Sequence, residues 1–270
     1  MKPNAYEDLI YQQRPGGYET DEDDYDHDEE EEEEENEEHE QDELPALLRL
    51  EMRGTRMDLD RDMLVSLPES LLLAMFPNGL VLSGDTHPVD FDPRYLEHVL
   101  QAYCKALSQH HLINHPLLAS RQPIIILRED LEYFCVQTKK KNVCDAARIK
   151  LECGDWLRKQ DTIFCALEKN IQKENNAAEQ HLIDMLCEAG FDRRDRWGHR
   201  ALEPLRTCVM SVSLVLLDMA EERLPTAQKL LLFWRKPARK CWWDSSTLHI
   251  KDTPVRVWAR RTWTLELALV

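Results

Sequence analysis

The chain has 270 residues, a formal net charge of −17 and only eight glycines. Its length allows one large domain or two small ones. The glycines are scattered, which argues against the glycine-rich loops that P-loop and dinucleotide-binding proteins use to hold phosphate. Hydrophobic residues make up 43% of the chain, so a globular core is expected.

The negative charge is concentrated in one N-terminal tract. Between Glu19 and Glu43 there are 19 acidic residues and no Lys or Arg, and Glu29–Glu35 is an unbroken glutamate run. Without this tract the rest of the chain carries a charge of only about +2. Like charges at this density repel one another, and the tract lacks the apolar residues that could form a core. Residues 1–43 are therefore predicted to be a disordered acidic tail.

The eight cysteines form no CxxC pair, and several fall on apolar faces. This usage is typical of reduced thiols that serve as small hydrophobic residues. The N-terminus lacks the apolar core of a signal peptide. The longest apolar stretch, Val209–Ala220, is about half a bilayer span and contains Asp218. We therefore expect a soluble intracellular protein with no membrane span, no cofactor and no metal site.

The first folded unit is predicted over residues 44–136. Apolar residues alternate in 48–52 and 57–59, which predicts a hairpin that turns at Gly54-Thr55. A helix is predicted to follow Asp60, and a longer one to begin at Asp92-Pro93, where Asp can cap the helix and Pro suits its first turn. A further short helix and a short strand are predicted over residues 70–76 and 80–82.

The second folded unit is predicted over residues 137–270, after the basic run Gln137–Asn142. Helical spacing of apolar residues recurs in 147–169 and 178–189. A cationic loop follows at Arg193–Arg200, and strand-like patterns cover the segments 208–217, 229–234 and 255–270. The sequence therefore predicts an α+β protein whose smaller second domain combines helices with an antiparallel sheet.

Five of the seven tryptophans fall in the last 40 residues, interleaved with Lys and Arg. They could form a cationic aromatic surface for nucleic acid or an acidic peptide, or they could be core residues with stacked arginines. Trp263 is expected in the core. Neighbours on a strand point to opposite faces, so one of Trp242 and Trp243 is expected to be exposed. With Arg239 and Lys240, this pair forms one set of candidate interaction residues.

Four segments of the first unit resemble BTB domains of the potassium-channel tetramerisation type, in the family's order and spacing. They are residues 48–64, 67–70, 89–100 and 124–134, of which the last resembles the family's closing strand and helix. The family often has a second glycine where this chain has Arg53. The resemblance implies a BTB/POZ-like domain that self-associates.

The BTB-like motifs contribute the second set of candidate interaction residues. The hairpin supplies Arg53, Gly54, Thr55 and Arg56. Asp90 and Asp92 flank Phe91 just before the helix, where they are expected either to cap and shape the turn or to lie at a subunit interface.

Four later segments resemble the region C-terminal to the BTB domain in fungal Whi-type growth-control proteins. They are residues 153–164, 179–191, 197–200 and 228–243. The resemblance implies a role in the general stress response and in restraining growth when nutrients are low. It also implies binding to plasma-membrane phosphatases rather than catalysis. In the third segment, Trp197 and His199 are interpreted as structural or interaction residues.

The sequence contains no GxSxG, HExxH, kinase or Walker motif. The preferred hypothesis is a non-enzymatic adaptor or scaffold in stress and nutrient signalling that binds a protein phosphatase and restrains growth. It would be cytoplasmic, or held at the inner face of the plasma membrane by a partner. Two alternatives stay open: a substrate adaptor of a cullin ubiquitin ligase, and a nuclear histone- or nucleic-acid-binding protein, although nucleic acid is the less favoured partner.

Deleting residues 1–43 is predicted to leave the fold intact and to strengthen the binding of acidic partners. The reason is electrostatic, because the acidic tail would compete for the Trp- and Arg-rich C-terminal face. Circular dichroism tests the fold, and titration of an acidic peptide at low salt tests the affinity. An affinity that stays unchanged at low salt would exclude self-shielding.

Overall fold

Two β-sheets, of three and five strands, organise the described part of the chain. The computed structural model describes residues 44–80, 84–109, 121–137, 144–174, 176–203, 207–218, 224–231, 237–250 and 253–270. The predicted acidic tail and most of the predicted strand at 80–82 lie outside the described residues.

Helices and mainly antiparallel strands are combined in the described residues, which confirms the predicted α+β class. The strands are β1 (Leu47–Met52), β2 (Thr55–Asp60), β3 (His87–Val89), β4 (Pro123–Gln137), β5 (His199–Leu202), β6 (Cys208–Leu216), β7 (Ala238–Ile250) and β8 (Thr253–Leu269). The helices are α1 (Arg61–Ser66), α2 (Glu69–Met75), α3 (Pro93–Gln109), α4 (Cys144–Arg158), α5 (Cys165–Glu174), α6 (Ala177–Glu188) and α7 (Leu224–Leu230).

The first sheet has the order β2-β1-β3, with β1 and β2 antiparallel and β3 parallel to β1. The predicted hairpin is confirmed, but it turns at Arg53-Gly54 and not at Gly54-Thr55, because Thr55 already pairs with Met52. The two turn residues, Arg53 and Gly54, have φ values of +48° and +84°. Two-residue hairpin turns require such left-handed conformations, which suit glycine better than arginine. The Arg53 side chain is held in place because its Nε donates to Asp90 Oδ1 at 2.7 Å.

The second sheet has the order β5-β6-β4-β8-β7. One face is covered by α4–α7, whose apolar residues pack against residues such as Leu127, Leu131 and Leu265. The first sheet and α1–α3 cover only part of the opposite face, where they pack on Ile126 and Met210. The remainder of that opposite face carries no layer of described residues.

The resemblance implied a strand followed by a helix over residues 124–134, and this expectation is wrong. The structure instead has one strand, β4, which pairs with β8 along its whole length and with β6 from Ile124 to Glu132. Both edges of the strand are hydrogen-bonded, which leaves no room for a helix. The predicted boundary at residue 137 coincides with the end of β4, and residues 44–270 form one compact unit.

Two other segments differ from the sequence pattern. The single helical region predicted over 147–169 is two helices, α4 and α5, separated by a turn in which Thr162 bridges to Arg196. Of the strand expected at 229–234, residues 229 and 230 belong to α7 and residues 232–234 lie outside the described residues. In α7, Ala227 and Leu230 are spaced for one face of a helix and are buried in the core.

A buried ionic cluster lies between the second sheet and its helical layer. Glu129 of β4 is only 1% exposed and accepts hydrogen bonds from Arg261 of β8 and from Arg200 Nη1 of β5, the latter at 2.7 Å. Burial raises the pKa of the Glu129 carboxyl, but the two guanidiniums more than offset this, so its pKa lies below the usual value. This cluster explains Arg261, the one cation on the apolar face of β8.

Replacement of Glu129 by Gln is predicted to destabilise the fold by roughly 3–5 kcal/mol at neutral pH, because two buried guanidiniums lose their counter-charge. The folded pKa of Glu129 lies below the unfolded value of about 4.3. Its contribution is therefore complete above that value and is lost as the pH falls through the folded pKa. Urea unfolding at several pH values measures this. The difference in the free energy of unfolding between wild type and Glu129→Gln should become smaller as the pH is lowered.

The matched control is Glu132→Gln on the same strand. Glu132 pairs with Arg260 at 2.8 Å, but both side chains are more than 40% exposed. Exposed pairs of this kind contribute about 1 kcal/mol or less. Equal losses of stability in the two variants would contradict the structural importance of the buried cluster.

Candidate protein-interaction surface

Several predicted interaction residues meet where the β1–β2 turn, the start of α3 and β5 come together. Besides its bond to Asp90, Arg53 pairs with Glu203, which is buried. Asp92 is also buried; its Oδ1 accepts the backbone N–H of Arg94 at 3.0 Å, and its Oδ2 lies 3.2 Å from His199 Nε2. These residues therefore link the first sheet to the second.

The pKa values of Asp92 and His199 at this junction are shifted by burial and by neighbouring charges. Burial raises the pKa of Asp92, but the hydrogen bonds from Arg94 and the nearby His199 together outweigh this effect. The pKa of Asp92 therefore lies below its usual value. Burial lowers the pKa of His199, and Asp92 only partly restores it, so the imidazole is mostly neutral at pH 7.

The remaining residues of this first group are placed differently from one another. Trp197 is 7% exposed, and the guanidinium of Arg200 lies 5.9 Å from its ring centroid. At the hairpin tip, Gly54, Thr55 and Arg56 are exposed, and Arg56 Nε pairs with Glu51 at 3.2 Å. Trp197 is therefore a packing residue, and the hairpin tip is accessible.

The second group of predicted residues is divided between the two faces of β7. Lys240 and Trp242 point to the helical layer, where Lys240 Nζ lies 2.8 Å from buried Glu179 and Trp242 packs on the core. Arg239 and Trp243 point to the opposite face. The side chain of Trp243 is 59% exposed, which confirms that one of the adjacent tryptophans reaches the surface.

The uncovered part of the second sheet forms a surface that we call the open face. It consists of Phe134 and Val136 of β4, Trp258 of β8, and Arg239 and Trp243 of β7. Its four apolar side chains are all substantially exposed: Phe134 is 50% exposed, Val136 51%, Trp258 39% and Trp243 59%. Contiguous exposure of large apolar side chains is typical of interaction sites.

Aromatic and cationic side chains on the open face are ordered by contacts with one another. Phe134 and Trp243 stack with ring centroids 6.3 Å apart and an interplanar angle of 24°. The Arg256 guanidinium lies 4.8 Å from the Trp258 ring centroid. Since such contacts hold the rings in place, less side-chain entropy is lost when a partner binds.

A groove of about 720 Å³ runs between α2 and the open face. Leu73 of α2, which is 58% exposed, lines the groove together with Phe134 of β4 and Arg239 of β7. Two arginines at the groove are paired: Arg128 lies 3.4 Å from Asp130, and Arg260 pairs with Glu132. Arg239 has no ion-pair partner among the described residues, so the groove, which Phe134 also lines, presents one uncompensated positive charge.

Sequence reasoning missed Phe134, Val136 and Leu73, whereas Trp258 was among the five tryptophans considered for a cationic aromatic surface. The alternation of Glu132, Phe134 and Val136 was a signal for the first two, but residues 124–134 were expected to end in a helix. No local pattern marks Leu73, because its exposure depends on how α2 lies against the sheet.

Among the described residues, no cluster of three or more His, Cys, Asp or Glu is arranged to hold a metal ion. None of the helices described is both long and apolar enough to cross a membrane.

Substitution of the two adjacent tryptophans by Ala is predicted to have unequal effects on stability. Trp242→Ala removes a side chain that packs on the core and should cost roughly 2 kcal/mol, less than a fully buried aromatic residue. Trp243→Ala should change stability by about 1 kcal/mol or less, because the side chain is mostly exposed. Chemical denaturation of both variants measures this, and a larger loss for Trp243→Ala would mean that the open face is buried in solution.

Comparison with known proteins places the chain among fungal relatives. It is 34% identical over 263 aligned residues to a "WHI2-like protein" of Schizosaccharomyces pombe, covering 84% of this chain and 88% of that protein. It is 28% identical to a "Growth regulation protein" of Saccharomyces cerevisiae, over 63% of this chain and 52% of that protein. No protein-family model matches. On the extent of the first match, the chain belongs to the WHI2-like family of fungal proteins.

Proposed function

We propose that this chain is a non-enzymatic adaptor in growth regulation that binds a protein partner through the open face and its groove. The observation that carries this proposal is the stacked pair of exposed rings, Phe134 and Trp243, on the same face of the sheet as the unpaired Arg239. Aromatic residues and arginine dominate the binding energy of protein interfaces. The regulatory role is supported by the names of the relatives.

The chemistry of the groove favours an extended segment of the partner. An apolar or aromatic residue of that segment would pack between Leu73 and the Phe134–Trp243 stack. An acidic residue further along the segment would pair with Arg239, which lies four residues before Trp243 on β7. A carboxylate or phosphate can accept two parallel hydrogen bonds from a guanidinium. Nucleic acid fits less well, since Asp130 and Glu132 also line the groove.

The partner that we propose is a protein phosphatase, as the resemblance to Whi-type proteins implies. Such a partner would place the adaptor in stress and nutrient signalling, in the cytoplasm or at the inner face of the plasma membrane. The alternatives, a cullin ubiquitin ligase and a nuclear histone- or nucleic-acid-binding role, rest on no contact that distinguishes them in the groove.

The N-terminal part is proposed to be a BTB-like domain that self-associates. The order of its elements supports this: a β1–β2 hairpin, the short helices α1 and α2, a third strand parallel to β1, and the long helix α3. The accessible hairpin tip is a candidate contact between copies. Light scattering that finds a strict monomer across micromolar concentrations would contradict self-association.

Affinity purification of the full-length chain tests the adaptor proposal. Wild type is compared with the double variant Arg239→Glu/Trp243→Ser, and the control is Trp156→Ser. Trp156 lies on α4, in the layer on the other side of the sheet, and is 39% exposed. We expect wild type and control to recover a phosphatase, and the double variant to recover about tenfold less, as for loss of an interface hot spot.

The results of this purification distinguish the proposed partners and show whether the open face is the binding site. If wild type recovers no phosphatase, the phosphatase assignment is wrong, and recovery of a cullin would favour the ligase alternative. If the double variant and the control recover equal amounts of phosphatase, binding occurs elsewhere on the chain. Circular dichroism of all variants shows whether the fold is retained.

A further inference from the structure

Two cysteines from different elements face each other between the second sheet and its helical layer. Cys135 is on β4 and Cys153 is on α4, and both belong to the apolar cluster that includes Leu131, Leu157 and Val257. The Cys153 thiol is within hydrogen-bonding reach of the Cys135 sulfur. This contact joins a helix to the central strand, although the two residues are 18 positions apart in the chain.

Neighbouring contacts determine how α4 crosses β4. Tyr133 lies two residues before Cys135, so its side chain is on the same face of the strand. Its hydroxyl donates to the backbone carbonyl of Lys150 at 3.0 Å. The same hydroxyl occupies the space that a side chain at position 154 would need, so Gly154 permits the close approach. Tyr133 therefore holds this turn of α4 against β4, which brings Cys153 next to Cys135.

The two thiols are not chemically equivalent. Cys135 is partly exposed, whereas Cys153 is fully buried. The hydrogen bond from Cys153 lowers the pKa of Cys135, against the effect of burial and with help from the charge of Lys150, while the pKa of Cys153 is raised. Thiolate character and accessibility together determine which cysteine reacts with an oxidant, so Cys135 is the reactive member.

We propose that Cys135 and Cys153 are a redox modification site that hydrogen peroxide converts to a reversible disulfide. In the first step the Cys135 thiolate attacks one peroxide oxygen, the O–O bond breaks, and hydroxide leaves, which forms a sulfenic acid. In the second step the Cys153 sulfur attacks the Cys135 sulfur and the S–O bond breaks. The leaving oxygen takes the Cys153 proton and departs as water. The two sulfurs are oxidised and the peroxide is reduced.

The site is connected to the open face through the backbone of β4. Cys135 lies between Phe134 and Val136, which point to the other side of the sheet and belong to the open face. A disulfide would attach α4 covalently to this strand at that point. The proposal does not depend on the adaptor function, because it concerns only the thiols and their neighbours.

Peptide mapping of the full-length protein tests the proposal directly. Trypsin releases Cys135 in peptide 129–139 and Cys153 in peptide 151–158, and each peptide contains no other cysteine. The folded, reduced protein is treated with hydrogen peroxide, alkylated with N-ethylmaleimide and digested. We expect mass spectrometry to find the 129–139 and 151–158 peptides linked, and dithiothreitol to separate them.

Two single variants and one control define the roles of the thiols. In Cys153→Ser, Cys135 should stop at the sulfenic acid, which dimedone traps. In Cys135→Ser, Cys153 should stay reduced because it is buried. Cys241→Ser, which removes an exposed cysteine of β7, should leave the linked peptides unchanged. Oxidation should also raise the melting temperature of wild type, on the order of 5 °C, and not that of Cys153→Ser.

The proposal is overturned if peroxide oxidises exposed cysteines such as Cys104 and Cys241 while peptides 129–139 and 151–158 stay unlinked. It is also overturned if the linked peptides form only after the protein is unfolded in urea. Circular dichroism of the untreated variants shows whether each one is folded, and the wild-type experiment decides the question even if a variant is not.

Discussion

The pairing of β4 with its neighbours is the constraint on which the rest of the structure depends. β4 is bonded to β8 from Pro123 to Gln137 and to β6 over most of that length, so it is the central strand of the second sheet. Its first residues, Ile124–Leu127, are buried on both faces, as a continuous apolar run requires. Further along, one face stays buried at Leu131 and Tyr133, while the other becomes accessible at Phe134. The core and the open face are therefore consecutive parts of one strand.

Buried carboxylates connect the layers that pack on this strand. Glu179 joins α6 to β7, and Asp92 joins the start of α3 to β5, whereas Glu129 joins three strands within the second sheet, β4, β5 and β8. Glu266 of β8 similarly accepts hydrogen bonds from the backbone and hydroxyl of Ser70 in α2. Because each carboxylate is satisfied only when two elements are correctly placed, these contacts specify the arrangement of layers as well as stabilising it.

The same geometry accounts for the proposed interaction surface and the proposed redox site. The first sheet and α1–α3 cover only part of one face of the five-stranded sheet, so aromatic side chains of β4, β7 and β8 stay exposed. On the other face, α4 approaches β4 closely because Gly154 accommodates Tyr133. That approach brings Cys153 next to Cys135, directly behind the exposed Phe134 and Val136. A disulfide between Cys135 and Cys153 would thus form on the strand that also supports the open face.

Local patterns in the sequence determined the β1–β2 hairpin to within one residue of its turn, the helix that begins at Pro93, and the alternation of β8, because periodicity and turn residues act between near neighbours in the chain. They also determined that one of Trp242 and Trp243 would be exposed. Only the tertiary structure decided that it is Trp243, since this depends on which face the helices cover. The pairing of β4 with β8, the partners of Arg53 and Arg261, and the meeting of Cys135 with Cys153 were likewise decided by packing. These contacts join residues from different elements, and no local pattern encodes which distant segment becomes the neighbour.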